Sequence, residues 1–256
     1  MPIRYARRLT GRKRNRDSNL HLGFTLAFIA GATNAGAFLA VRQYTSHMTG
    51  VVSSMADNLA TGEFGLVLAG VGALISFLGG AALSAMLVHY ARRRRLHSEY
   101  AGPLLLEAVL MLCFGLLGAQ LSTIDGLFVP ATVMLLCFMM GLQNALVTKL
   151  SNAQIRTTHI TGVITDIGIE LGKLCYWNRS REVHTDVGAN HARLRVLGGL
   201  ALAFFTGGIL GAIGFKHAGY ALTVPLAIVP VVDDLSHALR PLWRRRPVIR
   251  ASKGSV

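Results

Sequence analysis

The chain has 256 residues, of which 52% are hydrophobic and only 15% are charged, and its mean hydropathy is +0.47. A soluble domain of this length carries about a quarter charged residues. Several apolar runs of about 20 residues, the length that crosses a bilayer, indicate a polytopic membrane protein instead of a soluble enzyme, a disordered chain or a disulfide scaffold. The three cysteines, Cys113, Cys137 and Cys175, show no pairing or metal-binding pattern and are predicted to be small core residues.

Six membrane-spanning helices are predicted, which makes the fold all-α. They cover residues 21–41, 64–88, 103–123, 127–148, 195–215 and 218–237. The second is the clearest, because Phe64 to Val88 is free of charge, and the sixth is the weakest, because it contains Pro225 and Pro230. The first apolar run is long for a signal peptide, so it is predicted to be retained.

The distribution of the cations predicts the orientation in the membrane. With six spans, 24 of the 26 Lys and Arg residues fall on one side, including the basic segment 1–19 and the basic tail 240–256. The positive-inside rule makes that side the cytoplasm. We therefore expect a multi-pass protein of the bacterial inner (cytoplasmic) membrane with both termini cytoplasmic. The net charge of +14 then requires no nucleic acid, and no nucleic-acid-binding motif accompanies the basic runs.

Two segments of the chain resemble each other. Ser46 to Ser53 (SHMTGVVS) aligns with Thr158 to Thr165 (THITGVIT), and upstream of them Asn34 aligns with Asn144. Small residues recur at four-residue steps in the second and fifth spans, a pattern that lets helix backbones approach closely in lipid. These stripes include Gly72, Gly80, Gly207 and Gly211, which could serve a homo-oligomer or pack within a monomer.

The repeats predict two halves, 20–125 and 126–239, of three spans each. Because three is odd, the second half must run upside down relative to the first. Inverted repeats are typical of transporters, whose binding site lies where the repeats meet. Repeats of this kind also build inert membrane scaffolds, so that alternative stays open.

Each half contains a short helix that is too short and too polar to span. Residues 46–61 and 158–174 have helical periodicity, and Ser46 and Thr158 are predicted N-caps. Each segment is either an amphipathic helix at the membrane interface or a re-entrant half-helix that lines a cavity. The near-identity of the two N-terminal turns favours the re-entrant alternative, in which backbone N–H groups would face a polar ligand.

The residues from Gly31 to Gly50, with their Ser-His-Met-Thr-Gly ending, resemble the YoaK family of bacterial membrane proteins. So do Gly141-Leu-Gln-Asn-Ala and Arg156 to Gly168 (RTTHITGVITDIG). The resemblance covers about residues 20–238 and implies a six-helix inner-membrane protein whose activity is uncharacterised. It supplies no catalytic or transport residue. Two positions depart from the common pattern: Asn34 stands where an Asp is frequent, and Val51 where an Asn follows the Thr-Gly.

The candidate site residues follow from the repeat. His47 and His159 could relay protons or form interhelical hydrogen bonds, and Asn34 and Asn144 could contact substrate or hold helices together. Asp166 is the predicted ion-coupling group, and the alternative is an interfacial ion pair with Arg156 or Lys173. Glu170 is predicted to pair with Lys173, and Glu107 to reach the cytoplasmic interface. The proposed substrate-binding set is Asn34, Ser46, His47, Thr49, Gly50, Asn144, Thr158, His159, Thr161 and Gly162.

No nucleophile elbow, metal-binding His pair or phosphate-binding glycine loop is present in the sequence, so no enzyme activity, cofactor or metal is expected. The preferred function is a secondary transporter or exporter of a small solute or ion across the lipid bilayer. The alternatives are a channel-like facilitator, in which the two half-helices meet, and a non-transporting oligomeric scaffold.

Overall fold

The computed structural model describes residues 16–94, 99–120, 128–150, 160–176 and 188–231, and every described regular element is helical. The basic tail, most of the N-terminal segment, Thr158 and His159 lie outside these residues. The helices are α1 (Arg16–Val41), α2 (Met48–Ala60), α3 (Phe64–Arg94), α4 (Ala101–Gln120), α5 (Phe128–Leu150), α6 (Ile160–Cys175) and α7 (His191–Ala218). A 3-10 turn (Gly219–Leu222) follows, and then a last helix, α8, at 223–231.

Five described stretches are long and apolar enough to cross a membrane, so the chain is a multi-pass membrane protein. They are Leu20–Val41, Phe64–Arg94, Ala101–Ala119, Val129–Leu150 and His191–Val231. Their large apolar side chains lie outward to a degree that only lipid tolerates: Leu68 is 72% exposed and Leu116 is 73% exposed. The first four stretches agree with the first four predicted spans within a few residues at each end.

The fifth stretch contains a reversal of the chain, where a sixth span was expected to begin. Gly219 ends α7 with a φ of +58°, which a residue with a side chain rarely adopts. Beyond it, Leu222 packs back on Gly214, while Tyr220 and Thr223 pack on α4. Nine residues of α8 belong to the described part of the chain, and residues 232–237 of the predicted span lie outside it.

Glycines bring α1 and α7 into close contact. A Cβ atom on Gly31 would overlap the carbonyl oxygen of Phe204, and one on Gly207 would overlap the carbonyl oxygen of Phe28. Along the whole interface the residue numbers rise together, from Phe24 against Gly199 to Gly36 against Phe215, so α1 and α7 run parallel. In each helix the glycine comes three residues after a phenylalanine. The carbonyl oxygen of that phenylalanine contacts the glycine of the other helix.

The contact between α3 and α5 has the same construction. A Cβ atom on Gly80 would overlap the carbonyl oxygen of Phe138, and one on Gly141 would overlap the carbonyl oxygen of Phe77. Here too the glycine follows the phenylalanine by three residues, and the helices run parallel. The two closest helix pairs of the molecule therefore each join the first half of the chain to the second half.

These contacts decide the role of the small-residue stripes. Gly80, Gly207 and Gly211 are buried inside the chain, and Gly211 packs against Ala32. A Cβ atom added to Gly72 would lie 3.9 Å from the sulfur of Met134. Gly80, Gly207 and Gly211 therefore pack against a facing helix of the same chain, which is one of the two uses that the sequence left open.

Two apolar clusters fill the interior. The Leu26 cluster comprises Leu22, Leu26, Ala27, Val88, Tyr100, Leu104, Leu146, Val147, Leu150 and Leu200. The Phe114 cluster comprises Ile29, Ala32, Ala37, Val41, Ala108, Met111, Phe114, Leu136, Met139, Met140, Phe215, Leu226 and Ala227. In the second cluster the ring of Phe114 contacts the ring of Tyr220 edge-on, at a centroid distance of 5.7 Å. This contact packs α4 against the 3-10 turn that follows α7.

The short helices each pack on the helix that follows them. A turn containing Gly62, with φ of +82°, folds α2 back on α3, where Met55 lies against Gly70. In the second half, α6 packs on the beginning of α7. Val163 and Glu170 are the buried side chains of α6, whereas Ile164 and Leu171 face outward.

Candidate functional site

The start of α2 is tied to the interior of α1. The hydroxyl of Ser46 donates a hydrogen bond of 2.9 Å to the side-chain oxygen of Asn34, and this bond is partly buried. Arg42, with φ of +58°, ends α1 and begins the turn that leads the chain back. The structure therefore brings together Asn34 and Ser46, two residues of the predicted set that lie 12 positions apart in sequence.

The bond to Asn34 changes the expected capping of α2. Ser46 was predicted to be the N-cap, but the helix begins at Met48, and His47 occupies the cap position without a side-chain cap bond. The N-cap prediction for Ser46 was wrong because its hydroxyl is engaged by the amide of Asn34, which the repeat spacing alone did not reveal. The prediction for Thr158 lies outside the described residues.

The remaining residues of the first corner surround this bond. His47 and Thr49 are exposed, and the ring of His47 lies over Gly50, whose added Cβ would be 2.9 Å from Nδ1. Thr45 is only 2% exposed, and its hydroxyl has no hydrogen-bond partner among the described residues. A buried hydroxyl without a partner is costly, so this corner combines an unsatisfied polar group with the uncapped first turn of a helix.

The second corner is only partly described. Asn144 is buried, and its carbonyl oxygen accepts a 2.7 Å bond from the hydroxyl of Thr148. Thr161 and Gly162 are exposed in the first turn of α6, and the added Cβ of Gly162 meets open space. Among the described residues, α6 packs on α7 while α2 packs on α3, so the expected meeting of the two corners is not seen there.

Asp166 takes part in an ion-pair network between α6 and α7. Arg193 Nη2 lies 3.0 Å from Asp166 Oδ2, and Arg193 Nη1 lies 3.7 Å from Glu170 Oε1. Lys173 Nζ lies 3.0 Å from the same Glu170 oxygen, as the sequence predicted for that pair. The described partner of Asp166 is Arg193 of the next helix and not Lys173, while Arg156, the other cation proposed from the sequence, lies outside the described residues.

Glu170 is the central group of this network. Its side chain is 2% exposed, and its Oε2 accepts a 2.8 Å bond from the backbone N–H of Asn190. That hydrogen bond, followed by the one from Lys173, lowers the pKa of the Glu170 carboxyl below its usual value, although burial acts in the opposite direction. Asn190 also caps α7, because its side-chain oxygen accepts the N–H of Arg193 at 3.0 Å.

A second acidic group was not identified from the sequence as a site residue. Glu107 was expected to reach the cytoplasmic interface, but it is 1% exposed and lies between α4 and α5. Gln143, which is fully buried, donates through Nε2 to Glu107 Oε1 at 2.7 Å and to the carbonyl oxygen of Leu26 at 3.4 Å. No local spacing could have revealed this pair, because 36 residues separate Glu107 from Gln143.

The family model described as a protein of unknown function, DUF1275, matches residues 22–232. The chain belongs to the DUF1275 family. No curated protein and no solved structure matches the chain. The resemblance to the YoaK family is consistent with this membership, since both concern the same part of the chain and an uncharacterised activity.

Within the described ranges of this DUF1275 chain, no group of three or more His, Cys, Asp or Glu side chains could hold a metal ion. Three polar features of the described structure include residues that the sequence singled out: the Asn34–Ser46 corner, the Asp166–Arg193–Glu170 network and the Glu107–Gln143 pair. The first is partly buried and the third is buried, while the second is exposed on the Arg193 side.

Proposed function

We propose that this DUF1275 protein is a small-molecule secondary transporter or exporter of the bacterial inner membrane, rather than an enzyme. In this proposal it has six spans in two inverted repeats and keeps both termini in the cytoplasm. The observation that carries it is the bond between Ser46 and Asn34. Asn34 lies seven residues before the end of α1. At a rise of 1.5 Å per residue, Ser46 is therefore held about 10 Å from that end, beside the interior of the helix.

This position supports a re-entrant α2 over an interfacial one. A helix lying on the membrane surface would begin beside the last turn of α1, not two turns inside it. Instead, α2 begins beside the interior of α1, runs outward, and turns at Gly62 into α3. Half-helices that begin within the bilayer are typical of transporter binding sites. The predicted site is the corner formed by Asn34, Ser46, His47, Thr49 and Gly50, with buried Thr45 beside it.

The glycine contacts support the inverted repeats. Exchanging α1 with α5 and α7 with α3 converts one set of phenylalanine–glycine contacts into the other. A two-fold relation of this kind is what inverted halves require. The equivalent corner of the second half would contain Asn144, Thr158, His159, Thr161 and Gly162.

The depth of α2 tests the site. Spin labels are attached to cysteines placed at Thr49 and, as the matched control, at Thr61, in a background without the three native thiols. We expect the label at 49 to report a position near the bilayer centre and the label at 61 to report the interface. Equal depths would mean that α2 lies at the surface, and the site would be lost.

Flux from proteoliposomes tests the activity. Liposomes that contain the protein are loaded with a mixture of small bacterial metabolites, and the solutes that leave are identified by mass spectrometry. We expect at least one solute to leave through the wild type, to do so more slowly with Asn34→Ala, and to be unaffected by Thr61→Ala. A requirement for a proton gradient would distinguish a transporter from a facilitator. Retention of every solute would leave the scaffold alternative.

A further inference from the structure

The Glu107–Gln143 pair occupies the boundary between the two apolar clusters. On α4, Glu107 lies between Leu104 of the Leu26 cluster and Ala108 of the Phe114 cluster. On α5, Gln143 lies between Met140 of the second cluster and Leu146 of the first. The pair is thus a polar layer enclosed by hydrocarbon on both sides, and it joins α1, α4 and α5 through three side-chain or backbone groups.

The hydrogen bonds of this layer are incomplete in one particular way. Both N–H groups of the Gln143 amide are in use, one toward Glu107 Oε1 and one toward the carbonyl oxygen of Leu26. Two oxygens remain without a partner among the described residues, namely Glu107 Oε2 and Gln143 Oε1. Both are acceptors when the carboxyl is ionised, so an anionic Glu107 leaves two buried acceptors without a donor.

Glu107 also has no ion pair among the described residues. The ion pairs there join Arg92 to Glu99, Arg193 to the two acids of α6 and Lys173 to Glu170, and Lys149 Nζ is bonded to His89 Nε2. None of these cations pairs with Glu107. The surrounding elements also include these titratable side chains: His21 on α1, Tyr90 on α3, Tyr100 just before α4, Cys113 on α4, Cys137 on α5 and Tyr220 on the 3-10 turn. The described hydrogen-bond partner of the Glu107 carboxyl is Gln143.

We propose that Glu107 and Gln143 form a buried proton-binding site. In this site Glu107 Oε2 carries the proton and donates a hydrogen bond to Gln143 Oε1. One proton converts the two unpartnered oxygens into a hydrogen-bonded donor and acceptor, which closes a carboxyl–amide pair with two parallel bonds. It also removes an uncompensated charge from hydrocarbon, where such a charge is most costly. The Leu26 carbonyl fixes the amide in the orientation that this pair requires.

A metal cation is the alternative ligand for two unpartnered oxygens. Hard cations take about six or more oxygen ligands, and this layer offers two free side-chain oxygens. A proton needs only the two that are present. Where the proposed transport function holds, Glu107 is the proton-coupling group in place of Asp166. That coupling role rests on the transport proposal, whereas the proton site itself does not.

Infrared spectroscopy of the full-length protein in lipid tests the site without any substrate. Glu107→Gln is compared with Glu63→Gln, which changes an exposed acid in the turn before α3. We expect the wild type to show a carboxylic-acid C=O band at neutral pH that Glu107→Gln removes and Glu63→Gln retains. A wild-type spectrum without such a band, or a band that survives Glu107→Gln, would overturn the proposal.

Two further measurements cover a failure of the variant to fold and the metal alternative. Labelling wild-type glutamates with ¹³C should shift the band, and Gln143→Leu should move it toward the position of an acid without a hydrogen bond. Replacement of choline chloride by sodium chloride at constant pH should leave the band unchanged, and its loss in sodium would assign the layer to a cation. If the band is present and no solute flux is found, the proton site stands and the transport proposal fails. If flux is found and the band is absent, the transport proposal stands and the proton site fails.

Discussion

The two acidic sites of the molecule differ in what surrounds them. Asp166 and Glu170 lie where α6 meets the beginning of α7, with Arg193 and Lys173 within 4 Å and a backbone N–H directed at Glu170. Glu107 lies between two apolar clusters, with one amide as its partner. The first site surrounds its two carboxylates with cations and a backbone N–H donor. Among the described residues, the second offers its carboxyl one hydrogen bond and no ion pair.

This difference shows that the position of an acid in a predicted span says little about its state. The sequence predicts Asp166 as the ion-coupling group, and in the structure its side chain is 39% exposed in an ion pair with Arg193. Glu107 seemed close to the interface, yet α1 and α5 close over it. The four predictions below test the contrast, beginning with the largest effect.

Glu107→Lys should destabilise the protein most. The new ammonium would find one neutral acceptor, Gln143 Oε1, but no anion among the described residues, and an uncompensated buried charge costs about 3–5 kcal/mol. Unfolding in mixed micelles, followed by tryptophan fluorescence, measures the effect. Glu63→Lys is the control and should unfold like the wild type. Equal stability of the two variants would mean that Glu107 is open to water.

Gln143→Leu should have the next largest effect. It removes the donor to Glu107 and to the Leu26 carbonyl, and a buried polar group without its partner costs about 1–3 kcal/mol. The same unfolding experiment is used, with Gln43→Leu, in the exposed turn after α1, as the control. A Gln143→Leu variant that is as stable as the control would show that the pair contributes nothing to the bundle.

The stability contributed by Glu170 should depend on pH. Because the folded pKa of its carboxyl is lowered, this contribution is present above the ordinary glutamate value of about 4.3 and is lost as the pH falls through the folded pKa. Stability measured between about pH 5 and pH 3 should therefore fall more steeply for the wild type than for Glu170→Gln. Parallel curves would mean that the network does not hold α6 on α7. Glu63→Gln should retain the wild-type slope.

Asp166→Asn should have the smallest effect on stability. Exposed ion pairs contribute at most about 1 kcal/mol, and Arg193 keeps Glu170 as a partner after the change. The variant also tests the ion-coupling role predicted from the sequence. If Asp166→Asn, and not Glu107→Gln, abolished the dependence of flux on a proton gradient, the two acidic sites would have to exchange roles.

Much of the fold could be predicted from the sequence because the signals are local. Uncharged runs located four spans, and the small-residue stripes indicated the close helix contacts that Gly80 and Gly207 make. The pattern of a phenylalanine three residues before a glycine occurs in all four helices and could have identified the pairs as well. The turn at Gly219 falls within one stretch, His191–Val231, that is apolar enough to cross a membrane, so hydropathy alone does not locate the reversal.

The site could be predicted only in part, because its decisive contacts are long-range. The repeat identified Asn34 and Ser46, but their bond depends on how the chain turns after Arg42. Arg193 was not recognised as the partner of Asp166, since the pairing requires α6 to fold back on α7. The burial of Glu107 depends on α1 and α5, and its partner Gln143 lies 36 residues away in the sequence.

The phenylalanine–glycine contacts have a consequence for biogenesis. The backbone face of α1 that contains Gly31 is complementary to α7, and the face of α3 that contains Gly80 is complementary to α5. When the first three spans leave the ribosome, those faces have no permanent neighbour and must rest against lipid or an insertion chaperone until the later helices arrive. A truncated product would expose both grooves, which makes quality-control proteolysis of incomplete chains an expected part of its life in the cell.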